Sequence, residues 1–241
     1  MLLPKNASAQ KQIKDTGINV SLIGGVFSYN LPGGNMADRF GANSTVGASY
    51  WFKHKSNWLF GAEYNYIFGK KIRETGILDN ISTSDGNLIN GAGLLQIMKT
   101  FERGHLALIK AGRIFPKITN SNPNSGFFVK AGFGFMEHKI KYYWVGEAPP
   151  QLTDPYYKGY DRLSNGLATS QSIGFLKLDD KNFYNFMIEA EVVEGFTKNR
   201  RDWNYDTNSK DDSQRLDLLF GLKLSWFFPI YRKTAEGLYF E

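Results

Sequence analysis

Cysteine is absent from the 241-residue chain, which excludes a disulfide scaffold and thiolate metal sites and is compatible with an oxidising envelope compartment. No stretch approaches the roughly 18 consecutive apolar residues that a membrane-crossing helix needs. Catalytic signatures are also lacking. The histidines, His54, His105 and His138, have no metal-ligand spacing such as H-E-x-x-H, and there is no G-x-S-x-G elbow or phosphate-binding glycine loop. The formal charge of +6 is scattered over strand ends and loops without a basic helix or RNA-binding motif, so nucleic acid is not an expected partner. No cofactor is expected either.

What the chain does have is aromatic content of 15%, with 25 glycines, and a persistent alternation. Between Asn57 and Gly69 one face reads Trp58, Phe60, Ala62, Tyr64, Tyr66, Phe68, and the other Leu59, Gly61, Glu63, Asn65, Ile67. Side chains alternate sides along a strand, so the first face suits hydrocarbon and the second a polar interior. The pattern predicts an all-β, transmembrane, antiparallel up-and-down β-barrel. Such a barrel carries its hydrophobicity in every second residue, and the mean hydropathy of −0.36 is therefore no objection.

Strands are expected near residues 17–30, 40–52, 57–69, 105–115, 126–142, 166–178, 183–197 and 214–228. Eight is an even number, as a single-chain bacterial barrel requires. Tight turns fall at Lys53-His54-Lys55-Ser56 and Asp179-Asp180-Lys181-Asn182. The connection Leu31–Arg39 and the long stretches 70–104, 143–165 and 198–213 lie together on the other side, assigned to the exterior. Leu88–Phe101 suits neither helix nor strand. It is read as a loop element folded over the mouth or against a partner, since a ninth strand would break the parity of the loops. Ala7-Ser8-Ala9 before Gln10 fits the small-x-small rule of signal peptidase, so residues 1–9 are expected to be a leader remnant and 10–241 a single barrel domain.

The alternation sends Glu63, Lys110, Lys130, Glu189, Glu191, Arg215, Asp217 and Lys223 into the lumen. An eight-stranded interior is only wide enough for side chains. A set matched in sign implies a salt-bridged polar plug rather than a wide pore. A paired-carboxylate site of Glu189 and Glu191 with Glu63 is the sharper alternative. On the outer face Leu216, Leu218, Phe220, Leu222, Leu224, Trp226 and Phe228 form a barrel-closing pattern. Trp51, Trp58, Phe115, Phe227 and Tyr231 are expected to gather as a periplasmic aromatic girdle.

Two exterior segments combine aromatics with charge: Tyr156, Tyr157, Tyr160, Asp161 and Arg162 in one, Arg200, Arg201, Trp203 and Tyr205 in the other. These residue types dominate binding hot spots. The plainer reading is that Asp161 and Arg162 pair with Arg200, Arg201 and Asp202 to order the loops. A rim enzyme using Ser164, Ser170 or Ser172 with His138, itself read as solvated or interfacial, is a further alternative.

Asn122-Pro123-Asn124-Ser125-Gly126, His138-Lys139-Ile140, Lys158-Gly159-Tyr160-Asp161-Arg162-Leu163, Phe196-Thr197 with Arg200-Arg201, and Arg215-Leu216-Asp217 leading to Trp226 and Pro229-Ile230-Tyr231 together give a resemblance. The chain resembles a group of small outer-membrane β-barrel proteins of Bacteroidetes-type bacteria, over roughly its C-terminal half. The resemblance implies an outer-membrane location and, from some related barrels, an accessory subunit of a secretion or barrel-assembly machine. The expected function is a non-enzymatic barrel within an envelope protein complex, partnered by the bilayer and envelope proteins; the alternatives are a small-solute channel and a rim lipid-modifying enzyme.

Overall fold

The computed structural model describes residues 16–118, 122–179 and 185–231. The leader-like segment 1–9, most of the turn at Asp179-Asp180-Lys181-Asn182 and the tail past Tyr231 lie outside the described residues. The barrel strands are β1 (Val20–Gly33), β2 (Asn43–Lys53), β3 (Trp58–Gly69), β6 (Lys99–Phe115), β7 (Gly126–Tyr143), β8 (Ser164–Lys177), β9 (Phe186–Asn199) and β10 (Gln214–Tyr231). Two-residue strands β4 (Leu88–Ile89) and β5 (Leu95–Gln96) form a separate hairpin inside the β3–β6 connection.

All eight barrel strands pair antiparallel with their sequence neighbours, and β1 closes the ring against β10 from Val20↔Tyr231 to Gly33↔Leu218. Ring closure pairs each barrel strand on both sides over its central stretch, which satisfies the ladder groups there without water, as a hydrocarbon environment demands. The parity read from the sequence holds on β3, where Glu63 and Asn65 are buried while Phe60 and Tyr64 are about half exposed. It holds on β10 as well, with Phe220, Leu224, Trp226 and Phe228 facing outward. These outward apolar side chains form a band that no part of the described chain covers, and lipid is the solvent that suits it.

Three expectations are corrected. Strand β6 begins at Lys99 rather than near 105, because Lys99–Gly104 extend the ladder with β7 up to Tyr143. Strand β10 runs past Phe228 to Tyr231. The last described pair with its neighbour β9 is Phe186↔Trp226, and Phe227 N–H donates to Asn185 on that side, so the missing N–H of Pro229 points to the β9 side beyond that last pair. Trp51 and Phe227 do not join the girdle. Both are fully buried, because each has the parity of the lumen face, whereas Trp58 and Phe115 do face outward.

The segment around 88–98 stays outside the ring. Leu88 is buried over the mouth, while Leu94, Leu95 and Ile97 on the second arm of the hairpin are more than 60% exposed.

Candidate functional site

The lumen is filled in layers. At the end that carries the tight turns, Val20, Leu22, Trp51, Leu59, Ile114, Phe128, Met187 and Phe227 form an apolar cluster. Above it lies an ionic layer. Lys110 Nζ and Lys223 Nζ each sit 2.8 Å from the same Glu63 oxygen, and both also pair with Glu191. Lys130 pairs with Glu189 at 2.8 Å while its ammonium lies 4.1 Å from the centre of the Trp51 ring. Above this layer a second apolar cluster joins Ile67, Leu106, Leu108, Met136, Val193 and Leu219 of the wall to loop residues Met36, Phe40, Ile77, Leu88, Leu152 and Tyr160.

Each strand contributes to a layer according to its register, since Gly61↔Lys110, Lys223↔Glu189 and Gly221↔Glu191 are cross-strand neighbours. Gly132 is required opposite Lys110: a Cβ there would meet Lys110 Cγ at 2.5 Å. The six central charges are nearly inaccessible, with Lys130 at 1% and Glu191 at 5% exposure. Such burial is tolerated only because each charge has an opposite partner. The carboxylates of Glu63, Glu189 and Glu191 are all engaged by lysines, so the pairing leaves no free diacid of the kind the sharper alternative needs.

The eight predicted lumen charges all avoid the lipid face, but they do not make one plug. Arg215 and Asp217 lie six or more residues before Lys223 in β10, toward the long-loop end, on the order of 20 Å at strand rise. Arg215 pairs with Asp211 at the rim. Asp217 accepts from Thr197 and lies 2.8 Å from Nε2 of His138. His138, expected to be solvated, is 1% exposed with its ring edge-on to Phe40. None of Ser164, Ser170 and Ser172 reaches it: Nδ1 of His138 has no hydrogen-bond partner, and the Ser164 hydroxyl donates to the Arg162 carbonyl. Lys53, Glu102 and Asn43 are further buried polar lumen residues, and Asn43 donates to both Glu102 oxygens. Their parity was available in the sequence.

Over the second apolar cluster the four exterior connections, residues 34–42, 70–98, 144–163 and 200–213, are tied by charges of alternating sign. The first connection contains helix α1 (Gly34–Arg39). Arg39 donates to Glu74 at 2.7 Å, Glu74 accepts from Arg162 at 2.8 Å, and Arg162 reaches Asp206 through two nitrogens. One ion-pair chain therefore joins all four loops. Arg162 adopts a left-handed backbone (φ 54°), a conformation costing an arginine on the order of 1 kcal/mol, held by these contacts. Burial alone would push the Asp206 carboxyl up, but the hydrogen bonds and charge of Arg162 outweigh it and hold it below the usual range. Asp161 takes a two-nitrogen contact from Arg201, and Tyr160 packs edge-on to Tyr205 at 5.5 Å.

Of the two loop readings, the structure thus uses Tyr160, Asp161, Arg162, Arg201 and Tyr205 to order the cap. Asp202 is exposed and takes no part in it. Arg200 binds Asn165, and Tyr157 lies under Arg201. Tyr156 and Trp203 remain 55% and 44% exposed. Leu94, Leu95, Ile97 and Val145 of the exterior connections are exposed as well; as aliphatic residues they lack the Tyr, Trp and Arg signature of a binding hot spot.

No family model matches the chain, and no curated protein matches it in sequence. Solved structures of similar shape include Ail, the attachment invasion locus protein of Yersinia pestis, in complex with the heparin analogue sucrose octasulfate (10% identity, 87% of this chain and 99% of that one, TM-score 0.46). Others are Neisserial surface protein A (10% identity, 86% and 97%, TM-score 0.43) and the outer membrane protein OprG from Pseudomonas aeruginosa (8% identity, 90% and 98%, TM-score 0.40).

Proposed function

We propose that this chain is a non-enzymatic, non-conducting integral outer-membrane β-barrel that serves as an accessory subunit of an envelope protein complex, presenting its exterior loops to a protein partner. The observation that carries this reading is the combination of a lumen filled with side chains and a cap tied by ion pairs. Among the described residues the lumen is filled by two apolar clusters and an ionic layer, whereas the cap's outer surface displays Leu94, Leu95, Ile97, Val145, Tyr156 and Trp203 to solvent. Large apolar side chains held out on ordered loops, above the lipid-facing band, are the composition of a protein–protein contact.

Photo-crosslinking in intact cells tests it. A photoreactive residue at Leu95, Ile97 or Trp203 is expected to give one discrete adduct of defined mass, and a residue at the buried Leu88 none. Absence of any adduct from all three exposed positions removes the subunit reading.

A further inference from the structure

On the outer wall of the barrel, just above the apolar band, β6 and β7 place two cations in direct opposition: Arg103 pairs with Lys139 in the ladder. Like charges directly opposite one another destabilise a sheet. Lys141 follows two residues on, on the same face. Among the described residues no carboxylate lies within ion-pair distance of any of the three. The Arg103 guanidinium touches only the carbonyls of Glu102 and Gly69 and the Phe101 ring, 4.8 Å away.

These cations line a cleft of about 430 Å³, walled by Tyr66, His105 and Trp144. Its acid, Asp161, is already engaged by Arg201, and the nearby Glu137 accepts from Asn165. The last wholly apolar outward pair below is Ala107↔Phe135. The Arg103↔Lys139 pair is four residues higher, roughly 10 Å along the barrel axis after strand tilt. With the hydrocarbon boundary placed at the top of the apolar band, that height falls among lipid headgroups on the side of the long loops.

We propose that this cleft binds the phosphate of an outer-leaflet glycolipid, the anion bridging Arg103 and Lys139 with Lys141 in support, the acyl chains running down the apolar wall. The inference rests on the outer-membrane reading above. Arg and Lys with aromatic walls suit phosphate at an interface, and a bridging anion relieves the opposed charges.

The folded protein is reconstituted in phosphatidylcholine discs alone, with bisphosphorylated lipid A, or with its dephosphorylated counterpart. The expected result is a rise in Tm with the phosphorylated lipid only, and an apparent affinity reduced about tenfold or more in Lys139→Gln/Lys141→Gln, for one or two lost charge-assisted hydrogen bonds. Without glycolipid the double variant is expected to be as stable as the parent or more so, since a repulsive pair is gone. Equal shifts with both lipids, or in both proteins, overturn the proposal; so does an equal shift with inorganic phosphate, which marks a free-anion site. Failure of the protein to insert in any disc overturns the membrane reading instead.

Discussion

Lys110 on β6 and Glu63 on β3 meet at 2.8 Å inside the barrel, and the same Glu63 oxygen is also 2.8 Å from Lys223 on β10. One carboxylate thus joins strands from opposite parts of the ring, since β3 and β10 are not neighbours. Across a lumen only as wide as its side chains, such a contact braces the barrel internally.

Glu63→Ala therefore leaves two buried ammonium groups sharing only Glu191. The expected loss is about 3–5 kcal/mol, read as a lower denaturant midpoint in detergent or discs. Replacing Glu63, Glu191, Lys110 and Lys223 together by Leu and Met is expected to recover most of it, because the desolvation cost of the charges disappears with their attraction. A fourfold variant as weak as Glu63→Ala contradicts this account.

The strands and the facing of Glu63, Lys110 and Lys223 were legible in the sequence because period-two alternation is a local property that the ladder preserves. The partners were not. Arg215 and Asp217 share the lumen parity of Lys223, yet height along β10 separates them, and parity carries no information on height relative to other strands. Trp51 differs for the opposite reason: residue type near a strand end suggests the girdle, but alternation with Tyr50 and Phe52 assigns it inward. The cap was the least legible part. Arg39, Glu74, Arg162 and Asp206 come from four different loops, and only the closed barrel brings those loops over one mouth.

The pH response of the cap follows from Asp206 and Asp211, whose carboxyls are held low by Arg162 and Arg215 against the opposing effect of burial. A depressed folded-state value means that the stabilisation is fully present above the unfolded carboxyl value of about 3.9 and is lost as pH falls through the lower folded value. Hydrogen exchange in loops 144–163 and 200–213 is expected to be unchanged, after correction for intrinsic rates, between pH 7 and pH 5. Loosening is expected only below about pH 4. Loop protection that vanishes by pH 5 contradicts the ion-pair description.

Gly159 accepts from Tyr205 N–H at 3.1 Å, and a Cβ on it would meet the Tyr205 ring at 2.1 Å. No side chain fits without moving the fourth loop off the third. Gly159→Val is expected to leave the barrel folded, judged by heat-modifiable gel migration, while making residues 200–213 several-fold more sensitive to external protease; the local opening needs to cost only about 1 kcal/mol to do so. Unchanged cleavage shows that Tyr205 does not anchor the loop.

Among the described residues, side chains fill the lumen beneath the mouth that the cap covers. Arg162→Ala breaks the chain at its centre, removing the contacts to Glu74 and Asp206. The ionic layer of Glu63, Lys110, Glu191 and Lys223, and the apolar layer around Trp51, Phe128 and Phe227, lie deeper and share no hydrogen bond with it. In planar bilayers both parent and Arg162→Ala are expected to be silent, even though the variant's loops are released. Steady single-channel steps in Arg162→Ala alone place the seal in the loops, and steps in both contradict a closed interior. Silence in both, with protease confirming that the loops have opened, assigns the barrier to the side-chain layers, which still fill the lumen of the variant among the described residues.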